Sequence, residues 1–304
     1  MVDWTNSPFR VFMRLMLPRV KLYTEMLVPQ AIIHHPERHL QFNPIEHPLV
    51  LQLGSSDPSA LLSAAYIAQD YGYDEINLNL GCPSPRVQAG AFGACLMKDK
   101  RVVRECLDYL NQNLSIPVTA KTRIGVDDID SYTYFQEFIG EIVASGCKEI
   151  IVHARKAWLT GLNPKQNRTV PPINYHYVYQ IQQDFPQVNF ILNGEIKTLE
   201  QIKAHLQHVK GVMLGRLACD SPYHLVEFHQ YLFPEQVLIN RQQLVASYLE
   251  QIDFKNINKN HISLYLKPLF NLYHDTIDAK RWKNVVQSSF MNKCIDYDAL
   301  TSFG

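Results

Sequence analysis

Residues 75–84 read Glu-Ile-Asn-Leu-Asn-Leu-Gly-Cys-Pro-Ser. The first half predicts a buried β-strand, because isoleucine or leucine alternates with asparagine with a period of two. Gly81 and Pro83 then break the strand on both sides of Cys82 and hold its thiol on a turn. In proteins built from alternating strands and helices, the carboxyl ends of the strands carry the chemistry. We therefore predict that Cys82 is catalytic; the alternative is a thiol that only packs in the core.

The composition is that of an ordinary globular chain. Its 304 residues include 29 Lys or Arg and 29 Asp or Glu, so the net charge is zero. This balance argues against a uniformly basic nucleic-acid-coating protein but allows a local basic patch. We find no apolar run long enough for a membrane span and no signal peptide, and we expect a cytoplasmic protein without membrane contact. The basic stretch 10–21 could be an organelle presequence, but a helix with Ser7 as N-cap and Pro8 in its first turn explains it better.

Neither the cysteines nor the histidines predict a metal site. The six cysteines are scattered and show no metal-ligand spacing, which indicates reduced thiols in a cytosolic protein. Four histidines fall within residues 29–47, a segment that we predict to be a long loop with little regular structure. They lack the helical spacing of metal ligands, so we expect no metal.

The middle of the chain alternates between predicted strands and helices. We predict seven strands, near residues 20–26, 48–53, 75–80, 117–121, 149–152, 188–192 and 211–214. With the helices between them, they predict an α/β fold whose parallel sheet is a TIM (β/α)8 barrel over residues 1–231. Helices without strands follow, predicted at 239–252, 260–273 and 277–292, so residues 232–304 are expected to form an all-helical domain.

Polar residues, together with Gly215, collect at the predicted carboxyl ends of these strands. They are Gln52, Asn79, Cys82, Lys121, Arg123, His153, Asn193, Gly215 and Arg216. One polar strand end is uninformative, but several on one face of a barrel are typical of an active site. The glycine turns 193–195 and 215–216 follow the last two strands, where backbone N–H groups can bind a phosphate. We therefore predict a cofactor that carries a phosphate, with Lys121 balancing negative charge on its ring.

Five segments together resemble the motif series of the tRNA-dihydrouridine synthases. They are residues 77–84, 121–123, 152–155, 193–196 and 215–216. Segments 3–5, 22–26 and 153–172 are similar to the branch of this family that acts at D-loop positions 20 and 20a. The resemblance covers nearly the whole chain. It implies an FMN-binding TIM barrel, a C-terminal helical domain that binds tRNA, and NADPH as the reductant.

The resemblance also implies a reaction and a set of cofactor contacts. Reduced FMN would pass a hydride from N5 to C6 of a flipped uridine in tRNA, while Cys82 protonates C5. Lys121 would stabilise the anionic reduced flavin. Because Glu195 stands where many relatives have glycine, we expect only its N–H to face the phosphate. The implied FMN contacts are Met1, Gln52, Lys121, His153, Asn193, Gly194, Glu195, Gly215 and Arg216.

A further set of residues is implied to contact the RNA. Asn79 would hold the uracil edge or the ribose beside the flavin. Loop 154–173 contains four basic residues and no acidic one, which suits contacts with tRNA phosphates. The implied substrate contacts are Asn79, Arg123, Lys165, Arg168, Arg281 and Lys283. We expect a monomer.

Two other functions stay open from the sequence. One is an FMN oxidoreductase acting on a small pyrimidine, against which the basic loop and the C-terminal helices argue. The other is a tRNA-binding protein with weak or no catalysis, because a barrel needs eight strands and only seven are predicted. Activity on tRNA compared with free uridine, and bound flavin after purification, would discriminate between these functions.

The missing strand generates a prediction. In the family this strand ends in Ala-Pro-Met just before Asp-Trp-Thr, and of it this chain has only Met1. We expect the natural reading frame to begin upstream. A chain extended by about 6–10 residues with alternating apolar pattern should hold FMN more tightly and melt at a higher temperature, because its sheet edges would pair. Equal flavin occupancy and equal Tm in the extended and the present chain would contradict this expectation.

Overall fold

A computed structural model of the chain describes residues 1–253 and 261–303. The chain divides into two compact units. The sheet unit consists of residues 23–41 and 49–214, and the helical unit of residues 1–22, 42–48 and 215–304. The predicted domain boundary after residue 231 stays a prediction. Residue 260, the first of the predicted helix 260–273, lies outside the described residues.

The described residues form seven strands and a series of helices. The strands are β1 (Leu22–Leu27), β2 (Leu49–Leu53), β3 (Glu75–Asn79), β4 (Val118–Arg123), β5 (Glu149–His153), β6 (Asn189–Asn193) and β7 (Gly211–Met213). The α-helices are α1 (Ser7–Met16), α2 (Pro29–His34), α3 (Pro36–His39), α4 (Pro58–Asp70), α5 (Pro85–Ala89), α6 (Lys100–Asn113), α7 (Tyr132–Ala144), α8 (Tyr175–Asp184), α9 (Leu199–His205), α10 (Arg216–Asp220), α11 (Leu225–Leu232), α12 (Arg241–Glu250), α13 (Ile262–Leu266), α14 (Ala279–Met291) and α15 (Tyr297–Thr301).

The seven strands make one parallel sheet in sequence order, from β1 at one edge to β7 at the other. Helices alternate with the strands and surround the sheet, so the predicted α/β fold is confirmed as a half-barrel of the TIM type. Because every strand runs in the same direction, the carboxyl ends of all seven lie at one rim. The polar residues that the sequence predicted at the strand ends therefore lie along this rim.

Three long helices of the sheet unit begin at polar capping residues. Asp57, Asp99 and Ser131 are the N-caps of α4, α6 and α7, and each side chain accepts a hydrogen bond from a backbone N–H of the first turn. Such a bond satisfies a donor that has no partner inside the helix. These capping residues thus fix where each helix starts after its strand.

Two local predictions were wrong. Asn6, not Ser7, caps α1, since its side chain accepts from the Phe9 N–H at 3.1 Å. The segment 29–47 is not a structureless loop, because it contains α2, α3 and a 3-10 helix at Pro44–Glu46. Each of these three elements begins with a proline, whose fixed φ suits a first helical turn. The three prolines of this segment therefore start helices.

The register of the sheet decides which side chains meet. On β3 the fully buried Ile76 and Leu78 point to one face, while Asn77 and Asn79 point to the other. Asn77 is level with Gln52 on β2 and with Thr119 on β4. Asn79 is level with Lys121 on β4. A polar row therefore runs across three neighbouring strands on the face opposite the apolar side chains.

The helical unit packs α1 against α12. The rings of Phe12 and Tyr248 meet edge to face with centroids 5.5 Å apart, and both side chains are fully buried. Glu46 is also fully buried and pairs with the guanidinium of Arg10.

No helix in the described parts of the chain is both long and apolar enough to cross a membrane.

The buried pair Arg10–Glu46 predicts a stability effect. Replacing Glu46 with Ala leaves a buried guanidinium without its counter-charge, which should lower the free energy of unfolding by about 3–5 kcal/mol. Glu235→Ala is the matched control, because its pair with Arg19 is more than half exposed and surface pairs contribute little. Denaturant titration of both variants measures the difference. Equal stability of the Glu46→Ala variant and the parent chain would contradict the prediction.

Candidate active site

The turn after β3 holds Cys82 through its main chain. The side-chain oxygen of Asn79 accepts hydrogen bonds from the N–H groups of Gly81 (3.2 Å) and Cys82 (3.0 Å). The carbonyl of Cys82 accepts from the N–H of Ala94 at 2.9 Å. With its N–H and its carbonyl both bonded, Cys82 has little freedom to move. Its side chain is half-buried at the rim of the sheet.

Two other cysteines of the sheet unit are packed in the core. Cys106 and Cys147 are buried, and burial raises the pKa of each thiol to about 12. Such thiols stay protonated and inaccessible. The accessibility of Cys82 and its place on the turn distinguish it from these core thiols.

Gly93 lets a second segment pass close to the thiol turn. Its φ is +71°, and a Cβ at this position would lie 2.6 Å from the carbonyl oxygen of Cys82 and 2.5 Å from Cγ1 of Val87. Any larger residue would displace the backbone that bonds to Cys82. Glycine is therefore required here by both the conformation and the space.

Lys121 places a cation at the same rim. Its ammonium donates to the side-chain oxygen of Asn193 at 3.3 Å. Among the residues that the structure describes, no carboxylate pairs with it. Burial, and secondarily the nearby charge of Arg123, lowers the pKa of Lys121 to about 8. A largely covered ammonium with one neutral acceptor is ready to bind an anionic group.

The Asn193 amide is held in the orientation that Lys121 needs. Its nitrogen donates to the carbonyl of Met213 at 2.8 Å, so its oxygen turns toward the ammonium. Along the rim, Asn193 is level with His153, and His153 with Arg123. The structure therefore brings Lys121, His153 and Asn193 together, as the sequence predicted for residues around one ligand.

Arg123 lies beneath the loops of the site. It is 3% exposed. Its guanidinium donates to the carbonyls of Gly81 (2.8 Å), Lys156 (3.0 Å) and Asn167 (3.0 Å). It therefore joins the thiol turn to loop 154–173. The RNA contact expected for Arg123 stays a prediction, and the geometry gives this residue a supporting place below the surface.

The turn after β6 contains two residues with positive φ. Gly194 has φ +129°, and a Cβ there would lie 3.0 Å from Cδ2 of His153. Glu195 has φ +51°, a left-handed conformation that costs a non-glycine residue about 1 kcal/mol. Its carboxylate pairs at 2.7 Å with Arg155, which is almost fully buried. This pair holds the carboxylate of Glu195 and fixes the turn.

Two of the four basic residues in loop 154–173 form ion pairs with carboxylates. Arg155 pairs with Glu195, and Lys156 pairs with Asp130 at 2.7 Å. Lys165 and Arg168 are exposed. The exposed positive charge of the loop therefore comes from the two residues that were predicted to contact RNA.

In the helical unit, the predicted site residues lie on or beside short helices and on α14. Gly215 precedes α10, which begins at Arg216, and Met1 Sδ lies 3.5 Å from where a Cβ on Gly215 would be. Arg281 is exposed, pairs with Asp278 at 3.5 Å and stacks over Phe303. The Lys283 ammonium lies 5.6 Å from the Phe270 ring centroid.

In the described part of the chain, no group of three His, Cys, Asp or Glu side chains could hold a metal ion.

Sequence reasoning missed several residues of the site. Glu75, Asn77 and Thr119 are buried and hydrogen-bonded to one another below the rim. The alternation on β3 did place Asn77 opposite the apolar residues, and this was the available signal. Gln88 was also missed; its amide nitrogen donates to the carbonyls of Pro83 (2.9 Å) and Leu159 (2.6 Å) and so adds a second link between the two loops.

The lowered pKa of Lys121 predicts a pH-dependent stability in the ligand-free chain. Below pH 8 the ammonium is charged in the folded and the unfolded state, and the folded state carries the cost of burying it. Between pH 8 and 10.5 the folded state loses the proton first, so this cost disappears. Lys121→Met should therefore raise the free energy of unfolding at pH 7, by up to about 3 kcal/mol.

The difference between the Lys121→Met variant and the parent chain should shrink as the pH rises from 8 toward 10.5, because the folded parent loses the lysine proton before the unfolded parent does. Lys148→Met is the control, because Lys148 is exposed and precedes β5 at the opposite end of the sheet. Denaturant titrations from pH 7 to 10 measure both. A Lys121→Met variant that is no more stable than the parent at pH 7 would contradict the burial cost.

Comparisons with known proteins identify the family of this chain. The family described as dihydrouridine synthase (Dus) matches residues 1–298. A tRNA-dihydrouridine(20/20a) synthase of Shewanella oneidensis is 44% identical over 290 residues, 95% of this chain and 87% of the relative. Enzymes with the same name from Pasteurella multocida (44% over 293 residues, 95% and 89%) and Shigella flexneri (42% over 302 residues, 99% and 89%) are similar to the same extent. The chain therefore belongs to the dihydrouridine synthase family, which consists of flavin-dependent oxidoreductases.

Proposed function

We propose that this chain reduces uridine in the D-loop of tRNA to 5,6-dihydrouridine, with FMN as cofactor and NADPH as reductant. One observation carries the proposal: a half-buried thiol, held by its main chain, lies on the same rim as a covered ammonium that has no carboxylate partner among the described residues. The thiol can give a proton, and the ammonium can balance an anionic ring. The names of the similar enzymes support positions 20 and 20a as the modified sites.

The residues at the rim fit an anionic, ring-containing cofactor with a phosphate. Lys121 would neutralise negative charge on the flavin ring, and Gln52 and His153 would contact the same ring. The Gly194-Glu195 turn offers backbone N–H groups for a phosphate, while Arg155 keeps the Glu195 carboxylate occupied at 2.7 Å. In the helical unit Met1, Gly215 and Arg216 are proposed FMN contacts. When bound, reduced FMN supplies a hydride to C6 of the uracil.

Cys82 completes the reduction by giving its thiol proton to C5 of the uracil. This step breaks the S–H bond and forms a C–H bond, and the thiolate is reprotonated from solvent before the next cycle. Asn79 donates one amide N–H to Gln52 at 2.9 Å, which leaves its second amide hydrogen available for the uracil edge or the ribose. The uridine has to leave the base stack to reach these groups, so tRNA binds with this nucleotide flipped.

Cationic residues on both units are proposed to bind the tRNA backbone. Lys165 and Arg168 are exposed on loop 154–173, and Arg281 and Lys283 lie on α14. Charge alone positions phosphates and carries no sequence information, so the base contact comes from the rim. The helical residues 232–304 would act as a tRNA-binding domain, and a tRNA substrate places the activity in the cytoplasm.

The role of Cys82 predicts how its variant behaves. Cys82→Ala should keep bound FMN and the oxidation of NADPH by oxygen but lose turnover on tRNA by at least about a hundredfold, because the proton donor is gone. Cys95→Ala is the matched control, since this neighbouring thiol is also half-buried and should not matter. Dihydrouridine in tRNA, quantified by mass spectrometry, gives the turnover. A fully active Cys82→Ala variant would remove Cys82 from the mechanism.

The RNA contacts predict a change in salt dependence. Arg168→Ala and Arg281→Ala should each weaken tRNA binding and reduce the slope of log K against log salt concentration by about one, if each arginine neutralises one phosphate. Lys210→Ala should leave the slope unchanged, because this exposed lysine precedes β7 at the end of the sheet away from the rim. Binding titrations at several salt concentrations measure the slopes. Unchanged slopes in both arginine variants would place the tRNA on another surface.

A further inference from the structure

A chain of hydrogen bonds descends from the thiol turn into the sheet unit. Its upper part is formed by amides. The N–H groups of Gly81 and Cys82 donate to the side-chain oxygen of Asn79. The Asn79 nitrogen donates to the oxygen of Gln52 at 2.9 Å. The Gln52 nitrogen in turn donates to the oxygen of Asn77 at 2.8 Å.

The lower part continues in the same direction. The Asn77 nitrogen donates to the hydroxyl of Thr119 at 2.9 Å, and this hydroxyl donates to the carboxylate of Glu75 at 2.6 Å. Asn77, Thr119 and Glu75 are 0%, 3% and 5% exposed, so water cannot replace these bonds. We refer to the five side chains as the amide relay: Glu75, Thr119, Asn77, Gln52 and Asn79.

The top of the amide relay imposes its direction. At the top, backbone N–H groups can only donate, so Asn79 has to present its oxygen to them. At the bottom, the Asn77 nitrogen can only donate, so the Thr119 hydroxyl receives from it and gives its own hydrogen to the Glu75 carboxyl. A flipped Gln52 amide would put nitrogen against the nitrogen of Asn79 and oxygen against the oxygen of Asn77. Leaving such buried groups unpaired costs about 1–3 kcal/mol each.

We propose that Glu75, Thr119 and Asn77 are positioning residues for the reduction of uridine. They fix the orientation of the Gln52 and Asn79 amides, and through Asn79 they fix the main chain that carries Cys82. This inference rests on the proposed function for its effect on turnover. The geometry of the thiol turn is a separate consequence, which can be measured without substrate or flavin.

Thr119→Val tests the amide relay with little change of shape. Valine removes the hydroxyl, so both the bond from Asn77 and the bond to Glu75 are lost. We expect kcat on tRNA to fall by about tenfold or more, because a misplaced group costs rate, while KM for tRNA changes by less than about twofold. In flavin-free protein, alkylation of Cys82 by iodoacetamide should become at least about threefold faster, because the turn loosens. The exposed Cys294 is the internal reference in the peptide analysis.

Two further variants separate positioning from packing. Thr122→Val makes the same change on the same strand, at a fully buried residue whose hydroxyl, within the described residues, bonds to no group but the carbonyl of Arg123 at 3.2 Å. It should leave kcat and the alkylation rate of Cys82 unchanged. Thr119→Ser keeps the hydroxyl and loses only a methyl group, so it should restore most of the activity lost in Thr119→Val.

Several results would overturn the proposal. Wild-type kcat and wild-type Cys82 alkylation in Thr119→Val would show that the hydroxyl does not position the site. Equal losses of kcat in Thr119→Ser and Thr119→Val would show that Thr119 acts by packing. If the valine variant folds poorly, the milder serine variant can still be measured. If the parent chain forms no dihydrouridine, the proposed function fails, whereas the alkylation rates in flavin-free protein still decide on the amide relay.

Discussion

The hydrogen bonds from the N–H groups of Gly81 and Cys82 to the side chain of Asn79 are the interaction on which the site depends. They turn the end of β3 into a rigid bend and leave the thiol at the rim of the sheet. The other elements act on this bend from outside. Gly93 makes room for the segment that bonds the Cys82 carbonyl. Arg123 and Gln88 tie the carbonyls on both sides of Cys82 to loop 154–173.

The site combines rigidity with an electrostatic cost. An ammonium whose pKa burial lowers to about 8 opposes folding at neutral pH, and so does a left-handed Glu195. Neither feature is explained by packing. Both are understandable if the rim binds an anionic ring and a phosphate, since such a ligand would stabilise the Lys121 charge and use the backbone N–H groups of the turn. Sites of this kind trade stability for function.

The sequence predicted the strands, the alternation of strands with helices and the residues at the rim, because these depend on local periodicity and on which residue types end a strand. Local rules failed where one residue type has two uses. Proline can begin a helix or interrupt one, and the prolines at positions 29, 36 and 44 begin helices. The amide relay could not be predicted from the sequence. Gln52, Asn77 and Thr119 lie side by side on neighbouring strands because of the strand register, and the register depends on the whole sheet. The same holds for Arg155–Glu195, whose partners lie far apart in the sequence.

The most direct measurement supplies the purified chain with FMN, NADPH and tRNA that lacks dihydrouridine, in parallel with free uridine. Mass spectrometry then quantifies dihydrouridine in each. The proposed function, with Cys82 at the rim and exposed cations proposed to bind RNA, predicts that dihydrouridine accumulates in the D-loop of the tRNA, while free uridine is not converted. Conversion of free uridine at a comparable rate would contradict a tRNA substrate. Failure of the flavin-loaded chain to modify tRNA would contradict the proposed activity itself.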